Sequence, residues 1–279
     1  MSHDDLHDRG LQFDVSTLWD RRRILGLFAG AGVATLVGCG DDESPTATAT
    51  STPTSATATT PAATSTAASG SCEEIPEETA GPYPGDGSNG PNVLSQSGIV
   101  RSDIRSSFGS ASGTAEGVPL TIKLTLTDTA NDCAALSGAA VYLWHCDRDG
   151  NYSLYSQAVT NENYLRGVQE TGNDGTVTFT SIFPAAYSGR WPHVHFEVYP
   201  SLDQATSSDN KIATSQLALP EAVCNTVYAT DGYEQSVSNM KQTTLATDNV
   251  FSDDKAVHQL ATVTGSVSAG YVATLNVPV

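Results

Sequence analysis

The chain has 279 residues, and its 31 acidic against 13 basic side chains give a formal net charge of -18 at pH 7. This balance argues against nucleic acid as a partner, because binding phosphates requires a basic face. Only 16% of the residues are charged and 7% are aromatic, whereas Ser, Thr, Ala and Gly are abundant, so neither a coiled coil nor a helix bundle is expected.

Residues 1–38 have the pattern of an export signal. Arg21, Arg22 and Arg23 precede a short run of apolar and small residues, an order typical of the twin-arginine route. The run ends in Leu-Val-Gly before Cys39, which resembles the lipobox of bacterial lipoprotein signals. This resemblance implies that Cys39 is the first mature residue and anchors the chain to the cell membrane through a lipid. The alternative is an uncleaved signal anchor, and both interpretations place the remaining chain outside the cytoplasm.

The next segment, residues 39–70, is predicted to be a flexible stalk. Residues 44–70 consist only of Ser, Thr, Ala, Pro and Gly. Without large apolar side chains, this stretch cannot bury enough surface to offset the entropy lost on ordering. We therefore expect it to tether the following domain, with glycosylation as an open question.

Cysteine usage agrees with export, since four cysteines follow the stalk and an even number is typical of oxidising compartments. Cys72, Cys133, Cys146 and Cys224 allow three pairings. A bond between Cys133 and Cys146 would require the connecting loop to run fully extended along one predicted strand. We therefore expect Cys72 and Cys224 each to pair with one of the other two.

Residues 71–279 are predicted to form one all-β domain, an antiparallel β-sandwich core with long active-site loops. Apolar and polar residues alternate in short runs separated by turn signals, a spacing typical of sandwiches. The expected strands are residues 118–127, 139–145, 176–183, 193–199, 211–217, 258–265 and 270–278. A single helix is expected at residues 221–228, opened by Pro220.

His193 and His195 are the sharpest chemical feature of the sequence. Residues two apart on a strand point to the same face, so the two imidazoles converge. Burying both without a shared partner is costly, and a metal ion supplies such a partner. The alternative for an isolated His-x-His pair is a solvated strand face.

The sequence around this pair resembles the intradiol ring-cleavage dioxygenases, the family of catechol 1,2-dioxygenase and protocatechuate 3,4-dioxygenase. The resemblance covers roughly residues 72–216 and depends on the order and spacing of several short motifs. These are Glu78-Thr79-Ala80-Gly81-Pro82-Tyr83, Arg101-Ser102-Asp103-Ile104, Leu143-Trp144-His145-Cys146-Asp147, Gly150-Asn151-Tyr152-Ser153, Tyr164-Leu165-Arg166-Gly167, Gly172-Asn173-Asp174-Gly175, and Pro184-Ala185-Ala186-Tyr187-Ser188-Gly189-Arg190-Trp191-Pro192 before the histidines.

The resemblance implies one non-haem Fe(III) per chain, held by Tyr152, Tyr187, His193 and His195. It also implies an activity: cleavage of a catechol between its two hydroxyl-bearing carbons by O2, giving a muconate-type dicarboxylic acid. Tyr187 would leave the iron when substrate binds and accept a phenolic proton, while the other three ligands persist. Phenolate and imidazole suit ferric iron better than thiolates do.

Further roles follow from the same resemblance. Arg190 matches an arginine beside the substrate ring, where a guanidinium stabilises developing negative charge. Gln216 matches a glutamine behind the ligands. Gly81, Pro82 and Tyr83 match an element that lines the substrate pocket. Four other residues are expected to be structural or incidental: Asp103, Arg166, His145 and His258.

Where the family commonly has a Gly-Trp or similar pair before the second tyrosine, this chain has Ala185 and Ala186, which leaves the size of the substrate open. Two alternatives of other classes remain. One is a surface-attached β-sandwich module that binds polysaccharide or aromatic polymer with a vestigial metal site. The other is a sandwich with a cupin-like Fe(II) or copper site, which would need a further Glu and His downstream of His193 and His195.

Overall fold

Two β-sheets carry the strands of residues 72–279, which are the residues that this computed structural model describes. The strands are β1 (Pro119–Asp128), β2 (Ala134–Ala135), β3 (Ala140–Trp144), β4 (Arg166–Glu170), β5 (Thr176–Ile182), β6 (His193–Tyr199), β7 (Ala213–Ala218), β8 (Thr262–Ser266) and β9 (Gly270–Pro278). The helices are α1 (Glu221–Tyr228) and α2 (Glu234–Met240), with 3-10 turns at Thr129–Asn131, Gln157–Val159, Leu202–Gln204 and Ser208–Asn210. The predicted all-β class is therefore confirmed.

The first sheet has the order β2-β1-β9-β8, and β5 also pairs with β1; the second has the order β4-β3-β6-β7. The strand pairs are antiparallel with one exception, because β1 and β9 run parallel, with Leu120 opposite Tyr271. The predicted antiparallel β-sandwich core therefore includes one parallel pair of strands. Parallel strands need a long connection, and between β1 and β9 the chain passes through the whole second sheet.

The main core lies between the two sheets. Alternate residues of β1 are buried in it, among them Leu120, Ile122 and Leu124, and β6 contributes Val194 and Phe196 from the other side. Burial of these apolar side chains is the principal force that holds the sheets together.

The second sheet is covered on both faces, so every residue of β3 and β6 is buried. Since Val194 and Phe196 face the main core, the alternation of a strand directs His193 and His195 to the opposite face. On that face Trp144, Tyr142 and Tyr152 pack with Val93 and Leu94 from the segment before β1. The candidate site lies on this second, covered face.

Helix α1 has the predicted bounds and follows Pro220, but the expectation of a single helix was wrong. Helix α2 has the sequence EQSVSNM, which lacks apolar periodicity and so gives no helical signal. Tertiary contacts stabilise it: Ser236 Oγ accepts a hydrogen bond from the Ala186 amide, and Asn239 Nδ2 donates to the Ala186 carbonyl.

One disulfide joins Cys72 to Cys133, as the sequence allowed. The expected second bond is wrong, because Cys146 and Cys224 are both free and buried. Cys224 packs in the core between the sheets, whereas Cys146 lies in the cluster on the outer face of the second sheet. The two thiols thus occupy separate packing environments, and burial raises the pKa of each.

Among residues 72–279, no helix has the length and apolar character that crossing a bilayer would require. The predicted signal peptide (1–38), Cys39 and the stalk (39–70) lie outside the described residues.

Candidate metal centre

The four predicted ligands come together on the outer face of the second sheet. His193 Nε2 lies 3.0 Å from His195 Nε2, 3.2 Å from the Tyr187 hydroxyl and 3.4 Å from the Tyr152 hydroxyl. The two phenol oxygens are 3.3 Å apart. Four donor atoms from three separate segments of the chain therefore point to one small volume.

Each ligand is positioned by its local structure. The histidines are the first and third residues of β6. Tyr152 follows a tight turn in which Asp147 Oδ1 accepts hydrogen bonds from the amides of Asp149 and Asn151. The Tyr152 amide donates to Ser156 Oγ, which fixes the end of that turn. These contacts explain why an aspartate precedes the first tyrosine, and Gly150 in the same turn has a left-handed φ of +85°, which favours glycine.

The tautomer of His193 can be inferred from its surroundings. Its Nδ1 lies 2.5 Å from the Trp191 carbonyl oxygen, so Nδ1 carries the proton and Nε2 presents a lone pair. That lone pair faces the Nε2 of His195 and two phenol oxygens. His195 Nδ1 is buried without a hydrogen-bond partner among the described residues. The phenol hydroxyls can donate to the lone pair of His193 Nε2 and, once deprotonated, can share a cation with it.

The donor set fits a transition-metal ion. Donors held about 2.0–2.2 Å from one ion are themselves roughly 3 Å apart, and four pairs of these atoms are 3.0 to 3.4 Å apart. Burial lowers the pKa values of His193 and His195, which keeps both imidazoles neutral, the form that binds metal. Burial also raises the pKa of Tyr152, so its phenolate requires a nearby positive charge.

No group of three or more His, Cys, Asp or Glu side chains gathers as a metal site anywhere in the described domain. The cluster is completed by two tyrosines instead. A cupin-like site, which needs a further Glu and His, is not what these residues form, whereas imidazole with phenolate oxygen is a donor set suited to ferric iron.

Arg190 lies beside this cluster and is buried. Its Nε donates to Asp248 Oδ2 at 3.0 Å and its Nη2 to Gln216 Oε1 at 2.6 Å. Gln216 is directly opposite His195 in the β6–β7 pairing, and its Nε2 donates to the Thr79 carbonyl. The structure therefore places both predicted residues, Arg190 and Gln216, beside the cluster. The segment between β6 and β7 is long, but the strand pairing still aligns Gln216 with His195.

Two of the three predicted pocket residues contact the ligands. Gly81 has a left-handed φ of +70°, which favours glycine, and a Cβ at this position would be in ordinary contact with His195 Cε1 at 3.4 Å. The ring of Tyr83 lies 5.1 Å from the ring of Tyr152, centroid to centroid. Pro82 separates them, and its carbonyl accepts a hydrogen bond from Asn89.

The residues expected to be structural or incidental lie outside the cluster. His145 uses both ring nitrogens, on the Cys146 carbonyl and on Ser181 Oγ, and burial lowers its pKa to about 4. Asp103 pairs with Arg105 near the surface, and His258 faces Glu73 at 3.8 Å.

Arg166 ties the pocket element to the Tyr152 turn. It is 1% exposed, and its guanidinium donates five hydrogen bonds. The acceptors are the carbonyls of Tyr83, Pro84 and Ser153 and the hydroxyls of Ser153 and Tyr142. All five N–H groups of the side chain are thus satisfied, and the two segments that flank the ligands are held together.

We expect Arg166→Met to lower the free energy of unfolding by about 3 kcal/mol or more, because the acceptors would lose a buried charged donor. Urea unfolding followed by circular dichroism measures this loss. The control is Arg105→Gln, whose exposed pair with Asp103 should contribute within about 1 kcal/mol. Equal losses in both variants would show that Arg166 does not tie the segments together.

Two residues of the site were missed by the sequence reasoning. Asp248 holds Arg190, and Phe251 packs against it, with the guanidinium carbon 5.8 Å from the ring centroid. Both lie more than 50 residues after His195 in a polar segment without a recognisable motif. No local signal in the sequence indicated either of them.

Comparison with known proteins agrees with the fold. A family model described as Dioxygenase matches residues 89–206, a range that includes all four clustered side chains and Arg190. Chlorocatechol 1,2-dioxygenase of Rhodococcus opacus is 40% identical over 52 residues, which are 19% of this chain and 20% of that protein. The chain therefore matches about a fifth of the length of this curated relative.

A solved structure with a similar fold is the intradiol ring-cleavage dioxygenase of Tetranychus urticae. It is 25% identical, with a TM-score of 0.59, and the alignment covers 75% of this chain and 96% of that one. The chain is therefore similar to dioxygenases in its fold and, over residues 89–206, in its sequence. The proteins that this chain resembles are thus an intradiol ring-cleavage dioxygenase in fold and a chlorocatechol 1,2-dioxygenase over a short stretch of sequence.

Proposed function

We propose that this chain is an extracytoplasmic, Fe(III)-dependent intradiol dioxygenase. It would cleave a catechol-type ring between the two hydroxyl-bearing carbons and add both atoms of O2 to give a muconate-type dicarboxylic acid. The observation that carries the proposal is the convergence of Tyr152, Tyr187, His193 and His195, in which four pairs of donor atoms are 3.0 to 3.4 Å apart.

Tyr152, Tyr187, His193 and His195 would hold one Fe(III) per chain. When bound, the ferric ion would lower the pKa of the catechol hydroxyls and so favour the anionic, electron-rich ring that reacts with O2. Tyr152, His193 and His195 are buried, whereas Tyr187 is only half-buried. This difference supports Tyr187 as the ligand that yields its place to substrate and accepts one catechol proton on its phenol oxygen.

Arg190 would act on the substrate ring. Its guanidinium is fixed by Asp248 and Gln216. A positive charge held in one orientation stabilises negative charge that develops on the reacting carbon, because little reorganisation is needed during the reaction. Gly81, next to His195, and Tyr83, next to Tyr152, would form the wall against which the ring lies.

A visible spectrum of the folded protein tests this proposal. Charge transfer from tyrosinate to Fe(III) should colour the purified protein burgundy, and anaerobic addition of catechol should shift the band to longer wavelength. Admission of O2 should then yield the ring-opened dicarboxylic acid. Colourless protein that binds polysaccharide or aromatic polymer would support a binding module with a vestigial site and contradict the proposal.

We also propose that the protein is exported by the twin-arginine route and anchored to the cell membrane through lipid on Cys39. The sequence pattern before Cys39 supports this location, and so does the Cys72–Cys133 disulfide, because such bonds persist mainly in oxidising compartments.

Cys39→Ala is expected to release the protein from the membrane fraction while ring-cleaving activity per molecule is unchanged. The reason is that a stalk would separate the lipid from the domain. Fractionation with an immunoblot measures the release, and Cys224→Ala serves as the control, since Cys224 is buried and free. A Cys39→Ala protein that stays in the membrane fraction would support a signal anchor instead.

A further inference from the structure

Asp248 has a fully buried carboxylate with four donors around it. Oδ2 accepts hydrogen bonds from Arg190 Nε at 3.0 Å and from the Trp191 amide at 2.6 Å. Oδ1 accepts from the amides of Val250 and Phe251 at 2.8 and 2.9 Å. The carboxylate thus joins the segment before β6 to the segment after α2.

The guanidinium of Arg190 is held at two points. Asp248 accepts from Nε, and Gln216 Oε1 accepts from Nη2. Phe251 lies against the same group and against His193, with 6.4 Å between the ring centroids of Phe251 and His193. Because a guanidinium is planar, contacts at Nε and Nη2 fix both its position and its plane.

Charge also favours this arrangement. A buried guanidinium without a partner is strongly unfavourable, and Asp248 is the carboxylate that forms an ion pair with Arg190. Asp248 lies beyond residues 89–206, the range of the dioxygenase family model. The segment that contains Asp248 therefore lies outside the part of the chain that the family model matches.

We propose that Asp248 is a positioning residue that holds the Arg190 guanidinium in the orientation required for ring cleavage. This inference rests on the proposed function in one respect, namely that ring cleavage is the reaction that Arg190 assists. Asp248 would contact neither substrate nor metal and would act through Arg190.

A double-mutant cycle tests the proposal with Asp248→Asn, Arg190→Ala and the double variant. In the Arg190 background, Asp248→Asn should lower kcat by roughly 10-fold or more, with KM for catechol and bound iron unchanged. In the Arg190→Ala background it should lower kcat no further, because its only route of action is already absent. If Asp248→Asn fails to fold, Asp248→Glu replaces it in the same cycle, since it keeps the charge and moves the carboxylate by one methylene.

Glu197→Gln is the matched control, because Glu197 is also buried and ion-paired, with Lys211 at 2.8 Å, but not with Arg190. We expect unchanged kcat in this variant. Additive losses in the cycle would overturn the proposal, and so would a fall in kcat for Glu197→Gln as large as that for Asp248→Asn, since either result indicates a general effect on folding.

Crystal structures of the wild type and of Asp248→Asn provide a readout independent of turnover. The Nη2–Oε1 contact between Arg190 and Gln216 should be present in the first and broken in the second. An unmoved guanidinium would overturn the positioning role. A wild-type protein that cleaves no catechol would instead refute the proposed function, and the crystal comparison would still decide the role of Asp248.

Discussion

Tyr152→Phe and His195→Ala are each expected to abolish iron binding, so that iron falls from about one per chain to near zero and the colour disappears. Both side chains are buried and supply a donor atom to a cluster of four. Losing even a residue that only supports a ligand typically costs about 10–100-fold in metal affinity, and losing a ligand itself should cost more. Metal analysis and a visible spectrum of the same sample measure both effects.

Matched controls separate loss of a ligand from loss of any buried aromatic side chain. Tyr142→Phe removes a buried phenol that donates to the Pro84 carbonyl, and His145→Gln removes a buried imidazole bonded to Ser181. Both controls should keep iron and colour. Full iron and colour in Tyr152→Phe or in His195→Ala would show that the ligand assignment is wrong.

Arg190→Ala is expected to reduce turnover by roughly 100-fold or more, the effect of deleting one preorganised electrostatic stabiliser. This corresponds to about 2.7 kcal/mol of transition-state stabilisation. Iron, colour and the spectral shift with catechol should be retained, because Arg190 is not among the four clustered donors. An interaction made mainly in the transition state lowers kcat and kcat/KM together, so steady-state kinetics with catechol measures the effect.

Arg190→Lys should recover little of the lost turnover. A lysine ammonium is a compact point charge and cannot reach Asp248 and Gln216 with the planar geometry that the guanidinium has. An Arg190→Ala enzyme with normal kcat and a raised KM would show that the residue only assists binding.

Much of the fold follows from local patterns in the sequence. Alternation over residues 118–127 predicted β1, and the run 193–199 predicted β6 with its actual bounds. The prediction of β1 succeeds because only one face of that strand is buried, so apolar and polar residues alternate along it. Strand β6 is buried on both faces, but its residues still alternate because His193, His195 and Glu197 lie on the face opposite to Val194 and Phe196. The sequence of helix α2 has no such periodic pattern, because contacts of Ser236 and Asn239 with Ala186 stabilise this helix and an apolar face does not.

The pairing of strands and cysteines could not be read from the sequence. Whether β9 runs parallel or antiparallel to β1 depends on the path of the long connection between them. Likewise, the sequence allowed Cys224 a partner, but the packing around β3 and α1 keeps it apart from Cys146 in a different cluster.

The sequence by itself determined the two histidines as a pair on one strand face and, by the spacing of motifs, which tyrosines accompany them. These residues lie in one continuous stretch, 152–195, whose order a linear pattern can specify. Only the tertiary structure decided what surrounds Arg190. Asp248 reaches it from 58 residues away because packing of Trp191, Val250 and Phe251 folds the polar segment after α2 back onto the site. Contacts at such a separation depend on how the whole chain buries its apolar surface, and no local pattern encodes that.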